Sequence, residues 1–197
     1  MAHNQKQGCF NMTKSFFGTD GIREKVGTMP MDNNTLTHLG WACGMALNDD
    51  KPPRVVVGRD TRRSGYMLQA SFIAGLTAAG AEVKQLGVLP TPAVAYLTRA
   101  MIAQVGVMIT ASHNSFEYNG LKFFNHKGAK ISDQREEAII HYLGQEMKMV
   151  PVDQLGASNR VRDAQGRYIE FCKASLPSFF SLYGLKVVLD CAHGATT

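Results

Sequence analysis

A short loop of the sequence concentrates the side chains that could carry out a group transfer. Ser112, His113 and Asn114 stand side by side after the apolar run VGVMIT, and Lys122 follows a few residues later. A transferable phosphate needs an accessible oxygen nucleophile, donors that hold its oxygens, and a group that moves a proton. The loop offers each of these types. The same residues are also common in polar turns, so the spacing alone leaves both interpretations open.

Other serine and nucleotide chemistries find little support. The pattern GxSxG is absent around Ser112, no aspartate partner for a histidine can be placed, and His113 projects differently from its neighbour. GxxxxGK[ST], a GxGxxG after a strand, and HExxH are absent as well. The sequence therefore disfavours a hydrolase triad, a nucleotide-binding loop and a zinc-protease site.

Two further segments carry charged side chains in glycine-punctuated loops. FFGTDGIR (16–23) contains Asp20 and Arg23, and GRDTRRSG (58–65) contains four charged residues, Arg59, Asp60, Arg62 and Arg63. Arginine presents a fixed fork of donors that suits phosphate oxygens. Phosphate binding and an Arg–Asp structural network at a helix N-terminus are the two interpretations of GRDTRRSG, and for Arg23 a functional and a structural role are both open.

The surrounding pattern predicts an α/β fold that places these loops at strand ends. Short β-branched runs alternate with helical apolar spacing, which is typical of layered α/β domains. We expect a three-layer domain with a largely parallel mixed sheet, and ligands at the carboxyl ends of its strands. Ser64 is a plausible N-cap and Gly80 a plausible end for one helix. The predicted strands are 54–58, 81–89, 104–110, 121–125 and 185–190, and the predicted helices are 64–79, 92–101, 133–145 and 163–176.

The pattern also divides the chain. Residues 13–145 are predicted to form the first domain, 146–162 a linker containing Pro151 and Gly156, and 163–197 the start of a second similar domain. Residues 1–13 are polar and are expected to be frayed. Since a lone strand at 185–190 cannot bury both faces, we expect a truncated second domain.

Composition sets outer limits on function. The 197 residues are 45% hydrophobic and 19% charged, with a formal net charge of +5. No apolar run approaches the length of a membrane span, and the N-terminus does not resemble a signal peptide, so a cytoplasmic protein without membrane partners is expected. The basic residues form no stripe with aromatics, which disfavours nucleic acid as a partner. The four separated cysteines (Cys9, Cys43, Cys172 and Cys191) are expected to be reduced and mostly buried.

Taken together, the motifs resemble the α-D-phosphohexomutase superfamily, and within it most closely the bacterial phosphoglucosamine mutases. The resemblance rests on FFGTDGIR, VVVGRDTRRSG, ITASHN, YNGLKFFN and GLKVVLDCAHGAT, which occur in the order found in that family. It implies a four-domain isomerase of which this chain is the front part. Such enzymes interconvert glucosamine 6-phosphate and glucosamine 1-phosphate on the route to cell-wall precursors.

The resemblance also implies roles for individual residues. Ser112 would be the phosphoserine that donates to the substrate and is recharged through a bisphosphorylated sugar, and Mg²⁺ would sit on an oxygen of that phosphate. Lys122 would lie beside the phosphoserine, as a source of positive charge or a proton donor, and His113 is the competing proton shuttle. Arg23 would cross the floor of the site toward the phosphoryl group. A hexosamine phosphate substrate and a sugar bisphosphate activator follow as partners, and the oligomeric state is left open.

Two positions depart from the family pattern, and two other functions stay open. Ser115 stands where such proteins usually have proline, and Glu24 where they usually have glycine. Glu24 is expected either to pair with a neighbouring arginine or to disturb its loop. Phosphomannomutase or phosphoglucomutase activity is the alternative within the same class, and a non-catalytic phosphate- or protein-binding module is the alternative outside it. Because the sugar-selecting parts would lie beyond Thr197, the 197-residue chain itself is expected to be inactive.

Overall fold

The computed structural model of the chain describes residues 16–48 and 51–196. Cys9, the polar segment 1–13 and the predicted domain start at residue 13 lie outside the described residues. The strands are β1 (Ile22–Lys25), β2 (Arg54–Arg59), β3 (Glu82–Val88), β4 (Val105–Ile109), β5 (Tyr118–Asn125) and β6 (Ser158–Arg160). The helices are α1 (Asn33–Leu47), α2 (Ser64–Ala78), α3 (Thr91–Ala100), α4 (Asp133–Leu143) and α5 (Ala164–Lys173).

The six strands form one mixed sheet in the order β1-β5-β4-β2-β3-β6. β2 pairs in parallel with both β3 and β4, and β3 pairs in parallel with β6. β5 runs antiparallel to both β4 and β1. The predicted mixed sheet, largely parallel, is confirmed, and β1, α1 and β6 are elements that the sequence pattern did not predict.

Helices cover both faces of the sheet. On one face α1, α2 and α4 pack over a cluster that contains Val55 and Val57, and on the other α3 packs over a cluster that contains Val56. All three valines are fully buried. Successive residues of a strand point to opposite faces, so a continuous apolar run such as this one fits a strand covered on both sides. The predicted three-layer architecture is confirmed.

The N-cap predicted for α2 is wrong, although the helix itself is confirmed. Ser64 is the first residue of the helix, Arg63 precedes it with helical backbone angles, and no side chain caps this end. The Ser64 hydroxyl instead accepts a hydrogen bond from Asn119 Nδ2 at 2.9 Å. Ser64 therefore ties α2 to β5 rather than capping its own helix.

The segment predicted to be a linker is partly built into the sheet. Residues 146–162 contain a short 3-10 helix (Val152–Gln154) as well as β6. The Val150 amide donates to the Ala78 carbonyl at 3.0 Å, and the Gly156 amide donates to Thr77 O at 3.0 Å. The segment thus follows the end of α2 before it reaches the sheet edge. The division into two domains stays a prediction.

The strand predicted over 185–190 is wrong. The described residues there have no regular structure, and Val187 and Val188 are 58% and 94% exposed. A strand exists only when a neighbour accepts and donates its backbone hydrogen bonds. No neighbouring strand lies beside 185–190 within the part of the chain that the structure describes.

The structure tests the predicted burial of three cysteines and the prediction that no segment spans a membrane. Cys43 is fully buried, whereas Cys172 and Cys191 are exposed, so the expected burial is wrong for these two. All three are free thiols, and burial raises the pKa of Cys43 to about 12. Among the described helices, none has the length and apolar character needed to cross a bilayer.

Candidate active site

Ser112 lies in the turn that follows β4. Its backbone adopts a left-handed conformation with φ of 55°, which is uncommon for a residue with a side chain. The Ser112 amide donates a hydrogen bond to Thr110 Oγ1 at 2.9 Å, and the side chain is exposed. The turn therefore projects the hydroxyl away from the sheet. Burial of this serine in the core would have excluded a role as phosphate carrier.

A cavity of about 1090 Å³ opens in front of this serine. It lies at the carboxyl ends of the parallel strands β2 and β4, where ligands bind in open α/β sheets. Pro90 and Thr91 contribute the start of α3 to its wall. The other lining residues come from the loop after β2, from β4, from the loop between β4 and β5 (residues 110–117, the serine loop) and from the last described segment: Asp60, Thr61, Arg62, Arg63, Met108, Thr110, Ser112, His113, Asn114, Ser115, Phe116, Ala192, His193, Gly194 and Ala195.

An acidic residue joins the two loops that flank the cavity. Asp60 Oδ2 accepts from Thr110 Oγ1 at 2.7 Å and pairs with Arg62 Nε at 3.0 Å. The side chains of Asp60 and Arg62 are only 16% and 12% exposed, so the pair is shielded from solvent. The predicted Arg–Asp network around the start of α2 is confirmed for this pair.

Arg23 contacts the serine loop from β1, the edge strand that lies two strands away from β4. It lies in β1 opposite Gly120 of β5, and its Nη1 donates to Asn114 Oδ1 at 3.0 Å. A Cβ atom at Gly120 would lie 2.3 Å from the Ile22 carbonyl oxygen, so β1 can approach β5 this closely only beside a glycine. The structure thus brings Arg23 to the serine loop while leaving the arginine exposed, and its approach to the phosphoryl group stays a prediction.

Lys122 lies near the site without contacting Ser112 through a hydrogen bond. It stands in β5 opposite Met108, a residue that lines the cavity. Its Nζ pairs with Asp20 Oδ2 at 2.5 Å, and its side chain is 17% exposed. The ammonium is therefore directed to the GTDGIR loop, a partner that the sequence did not predict.

His113 forms part of the cavity wall next to Ser112 and is exposed. His38 and His141 lie elsewhere, on α1 and α4, and both contact Gln145. Among the described histidines, His113 and His193 line the cavity. Position alone keeps His113 and Lys122 as two candidates for moving a proton.

The two departures from the family pattern are accommodated locally. Glu24 Oε1 accepts from the Lys25 amide at 2.8 Å, and Glu24 keeps its strand pairing with Asn119. Pairing of Glu24 with an arginine, one of the two expected outcomes, does not occur within the described part of the chain. At the second position, the Ser115 carbonyl accepts from Arg62 Nη1 at 2.6 Å, so a hydrogen bond holds the backbone where a proline ring would otherwise restrict it.

The described residues do not by themselves make a metal centre. They contain no group of three or more histidine, cysteine, aspartate or glutamate side chains placed to hold an ion. The carboxylate nearest to Ser112 in the network, Asp60, is already occupied by Arg62 and Thr110. The metal ligand named from the sequence, the Ser112 oxygen, stays a prediction.

Thr110 has a role that the sequence did not indicate, since its hydroxyl links Asp60 to the Ser112 amide. Asn114 is one of the loop residues named from the sequence, and the structure adds its bond to Arg23. A threonine two residues before a turn serine is a recognisable signal, because its hydroxyl can accept from the turn backbone. The partners of Asn114 lie too far away in sequence to have been inferred.

Known proteins share both the sequence and the arrangement of this region. Residues 14–149 match the family model described as phosphoglucomutase/phosphomannomutase, alpha/beta/alpha domain I. Phosphoglucosamine mutase of Pseudomonas fluorescens Pf-5 is 54% identical over 185 residues, covering 94% of this chain and 42% of that protein. Phosphoglucosamine mutase of Nitrosospira multiformis is 51% identical over 192 residues, with the same coverage of 94% and 42%. The chain thus spans less than half of the length of these curated relatives.

Solved structures agree on the fold. A putative phosphomannomutase from Thermus thermophilus has a TM-score of 0.70 and 31% identity, covering 82% of this chain and 36% of that one. The phosphoglucomutase parafusin from Paramecium has a TM-score of 0.60, covers 80% of this chain and 34% of that one, and at 22% identity supports the fold alone. The architecture described above is therefore shared with solved proteins.

Proposed function

The chain belongs to the phosphoglucomutase/phosphomannomutase family, and on that premise we propose that its full-length protein is an isomerase that interconverts glucosamine 6-phosphate and glucosamine 1-phosphate. The substrate assignment is supported by the phosphoglucosamine mutases that are more than half identical to this chain. The observation that carries the chemistry is the exposed Ser112 hydroxyl, held in a left-handed turn at the mouth of a cavity flanked by arginines.

The proposed reaction consists of two phosphoryl transfers, one from Ser112 Oγ to the sugar and one from the sugar back to Ser112 Oγ. The phosphoryl group leaves Ser112 Oγ for a free hydroxyl of the sugar phosphate, and the proton of that hydroxyl passes to a base. Ser112 Oγ takes up a proton as the phosphoryl group leaves it. In the second transfer the Ser112 hydroxyl gives up that proton and receives the other phosphoryl group of the sugar bisphosphate, and the sugar oxygen that loses this group is protonated. Positioning and charge stabilisation carry most of the catalysis in such transfers, which suits a site made of fixed donors.

The neighbouring residues support different parts of this scheme. Arg23 reaches Asn114 of the serine loop and stays exposed, so its remaining N–H donors can meet phosphate oxygens. His113 borders the cavity and is the side chain suited to move a proton near neutral pH. Lys122 is bound to Asp20 and forms no hydrogen bond to Ser112, so its proposed role is to stabilise phosphate charge.

The proposal includes Mg²⁺ without a complete set of ligands for it. A divalent ion would neutralise charge on the phosphate carried by Ser112. The described residues do not complete such a site, so further ligands would come from elsewhere in the full-length protein. A cytoplasmic location, a sugar bisphosphate that recharges the serine, and the division into domains at 13–145 and 163–197 are likewise proposals. We expect the 197-residue chain alone to show no turnover of hexosamine phosphate.

The decisive test is mass spectrometry of intact full-length protein treated with sugar bisphosphate. We expect one labile phosphate in the wild type and in Ser115→Ala, and none in Ser112→Ala, with mutase activity abolished in the latter. Ser115 is the matched control because it offers an exposed hydroxyl in the same loop. A serine that never acquires phosphate would favour the non-catalytic binding module instead.

Phosphomannomutase activity is a second candidate, because a solved relative at 31% identity carries that name. Turnover of glucosamine, mannose and glucose phosphates by the full-length protein separates the two. We expect the highest kcat/KM with glucosamine 6-phosphate. A preference for mannose 6-phosphate would overturn the substrate assignment without affecting the role of Ser112.

A further inference from the structure

We propose that Arg62 is the positioning residue of the serine loop, and that its guanidinium is fully committed to the protein backbone instead of binding substrate phosphate. The inference rests on the proposed function, since it assigns how the phosphate-carrying serine is held for transfer. Of the two interpretations that the sequence leaves open for GRDTRRSG, it takes the structural network for Arg62 and gives that network a role in the reaction.

The hydrogen bonds of Arg62 account for its whole donor capacity. An arginine side chain has five N–H groups. Nε donates to Asp60 Oδ2 at 3.0 Å. The four remaining N–H groups meet four backbone carbonyl oxygens, three in the serine loop and one at the start of β5. Nη2 reaches Ser112 at 3.0 Å and Asn114 at 2.8 Å, and Nη1 reaches Ser115 at 2.6 Å and Tyr118 at 3.1 Å. No N–H group is left for a ligand.

The same ion pair holds Ser112 from both sides of its backbone. Arg62 Nη2 binds the Ser112 carbonyl directly. Asp60, the partner of Arg62, accepts from Thr110 Oγ1 at 2.7 Å, and that oxygen accepts from the Ser112 amide at 2.9 Å. A left-handed conformation is unfavourable for a residue with a Cβ, and fixed bonds at both its amide and its carbonyl are what can maintain it. The direction of the hydroxyl therefore follows from Arg62.

Lysine cannot make this arrangement. Its ammonium is a compact charge with three donors. The planar guanidinium of Arg62 donates to four carbonyl groups and to one carboxylate. Arg62→Lys keeps the charge and removes the geometry. It is thus a substitution that separates positioning from simple electrostatic attraction.

The experiment compares Arg62→Lys with wild type in the full-length protein, with Arg99→Lys as the matched control. Arg99 is exposed near the end of α3 and lies outside the cavity. We expect kcat to fall by about a hundredfold with KM within roughly threefold, because displacement of a reacting group by about 1 Å has an effect of this size. We also expect amide hydrogen exchange in residues 111–118 to accelerate by about tenfold, with β2 and β4 unchanged.

Several outcomes would overturn the proposal. A raised KM with unchanged kcat would show that Arg62 binds substrate phosphate, and unchanged exchange in 111–118 would show that other contacts hold the loop. If wild type lacks mutase activity while exchange in the loop responds to Arg62→Lys, the proposed function fails and the positioning role stands.

A second pair of variants covers the case in which Arg62→Lys does not fold. Thr110→Val removes the hydroxyl that links Asp60 to the Ser112 amide while keeping the shape of the side chain, and Thr110→Ser restores that hydroxyl. We expect Thr110→Val to lower kcat by about tenfold and to accelerate exchange in the loop, and Thr110→Ser to recover most of both. Equal behaviour of the two variants would contradict the role of the network.

Discussion

The sheet region (residues 16–160) and the C-terminal region (residues 164–196) use similar residues with opposite results. In the sheet region Val55, Val56 and Val57 of β2 are 0% exposed. In the C-terminal region the comparable run LKVVLD is irregular, with Val187 at 58% and Val188 at 94% exposure. Even α5, a regular helix, buries only Ala164.

The difference lies in the neighbours and not in the runs themselves. β2 has β3 on one side and β4 on the other, and helices cover both of its faces. The run at 185–190 has no such neighbours among the described residues. An apolar β-branched run is therefore a potential strand, and it becomes one where other segments complete its hydrogen bonds and cover its faces.

The largest expected contrast comes from placing the same charge in both runs. Val56→Asp puts an unpaired carboxylate in the centre of the sheet, which should cost about 4 kcal/mol or more and abolish cooperative unfolding. Val188→Asp should change the unfolding free energy of the 197-residue chain by less than about 0.5 kcal/mol. Urea titration followed by circular dichroism measures both. Similar losses in the two variants would show that 185–190 is packed after all.

Alanine substitutions at two glycines, one in each region, should change stability in opposite directions. A Cβ at Gly120 would lie 2.3 Å from Ile22 O, so Gly120→Ala should separate β1 from β5 and cost about 1–3 kcal/mol. A Cβ at Gly166 of α5 meets nothing within 4 Å, so Gly166→Ala should raise stability by about 0.5–1 kcal/mol through helix propensity. Thermal unfolding of both variants measures the direction of each change in stability. A loss of stability in Gly166→Ala would contradict the absence of neighbouring atoms around that position.

The smallest expected contrast concerns the two helix starts. Asp32 caps α1 by accepting from the Thr35 amide, so Asp32→Ala should cost about 1 kcal/mol. Asp163 precedes α5 without capping it and pairs with Arg167 on the surface, so Asp163→Ala should cause no measurable change in stability. Chemical denaturation at pH 7 compares the two variants.

Acid provides an independent check of the same cap. Partial burial raises the pKa of Asp32, but the hydrogen bonds from Thr35 and from the amides of Asn34 and Asp32 together outweigh it, and the pKa lies below the ordinary 3.8. A lowered pKa stabilises the fold above the ordinary value and loses this contribution as pH falls. The difference between wild type and Asp32→Ala should therefore shrink below about pH 4. A difference that persists at about pH 2 would assign the effect to something other than the carboxylate.

The accuracy of the sequence predictions follows the distance over which each feature is determined. The helix predicted over 133–145 and found at Asp133–Leu143 could be predicted because its apolar spacing is local. The exposed position of Ser112 could be predicted from the strand that precedes it. The N-cap predicted at Ser64 is wrong, because Ser64 is the first residue of α2 itself. Its hydroxyl accepts a hydrogen bond from Asn119, 55 positions along the chain.

The same reasoning applies to contacts at the site that the sequence did not indicate. The ion pair between Lys122 and Asp20 joins residues 102 positions apart. The exclusion of Arg62 as a ligand depends on carbonyl groups 50 to 56 positions away. No spacing rule reports contacts of this kind, since they depend on which strands become neighbours.

By itself, the sequence determined the alternation of strands and helices, the chemical types in each loop, and the serine at the end of a buried strand. These properties depend on backbone periodicity and on residues a few positions apart. Only the tertiary structure decided which arginine holds the serine loop, which partner Lys122 has, and which apolar run becomes a strand. Each of these results depends on groups that meet only when the sheet assembles, because hydrogen bonds and burial require a partner in space and not in sequence.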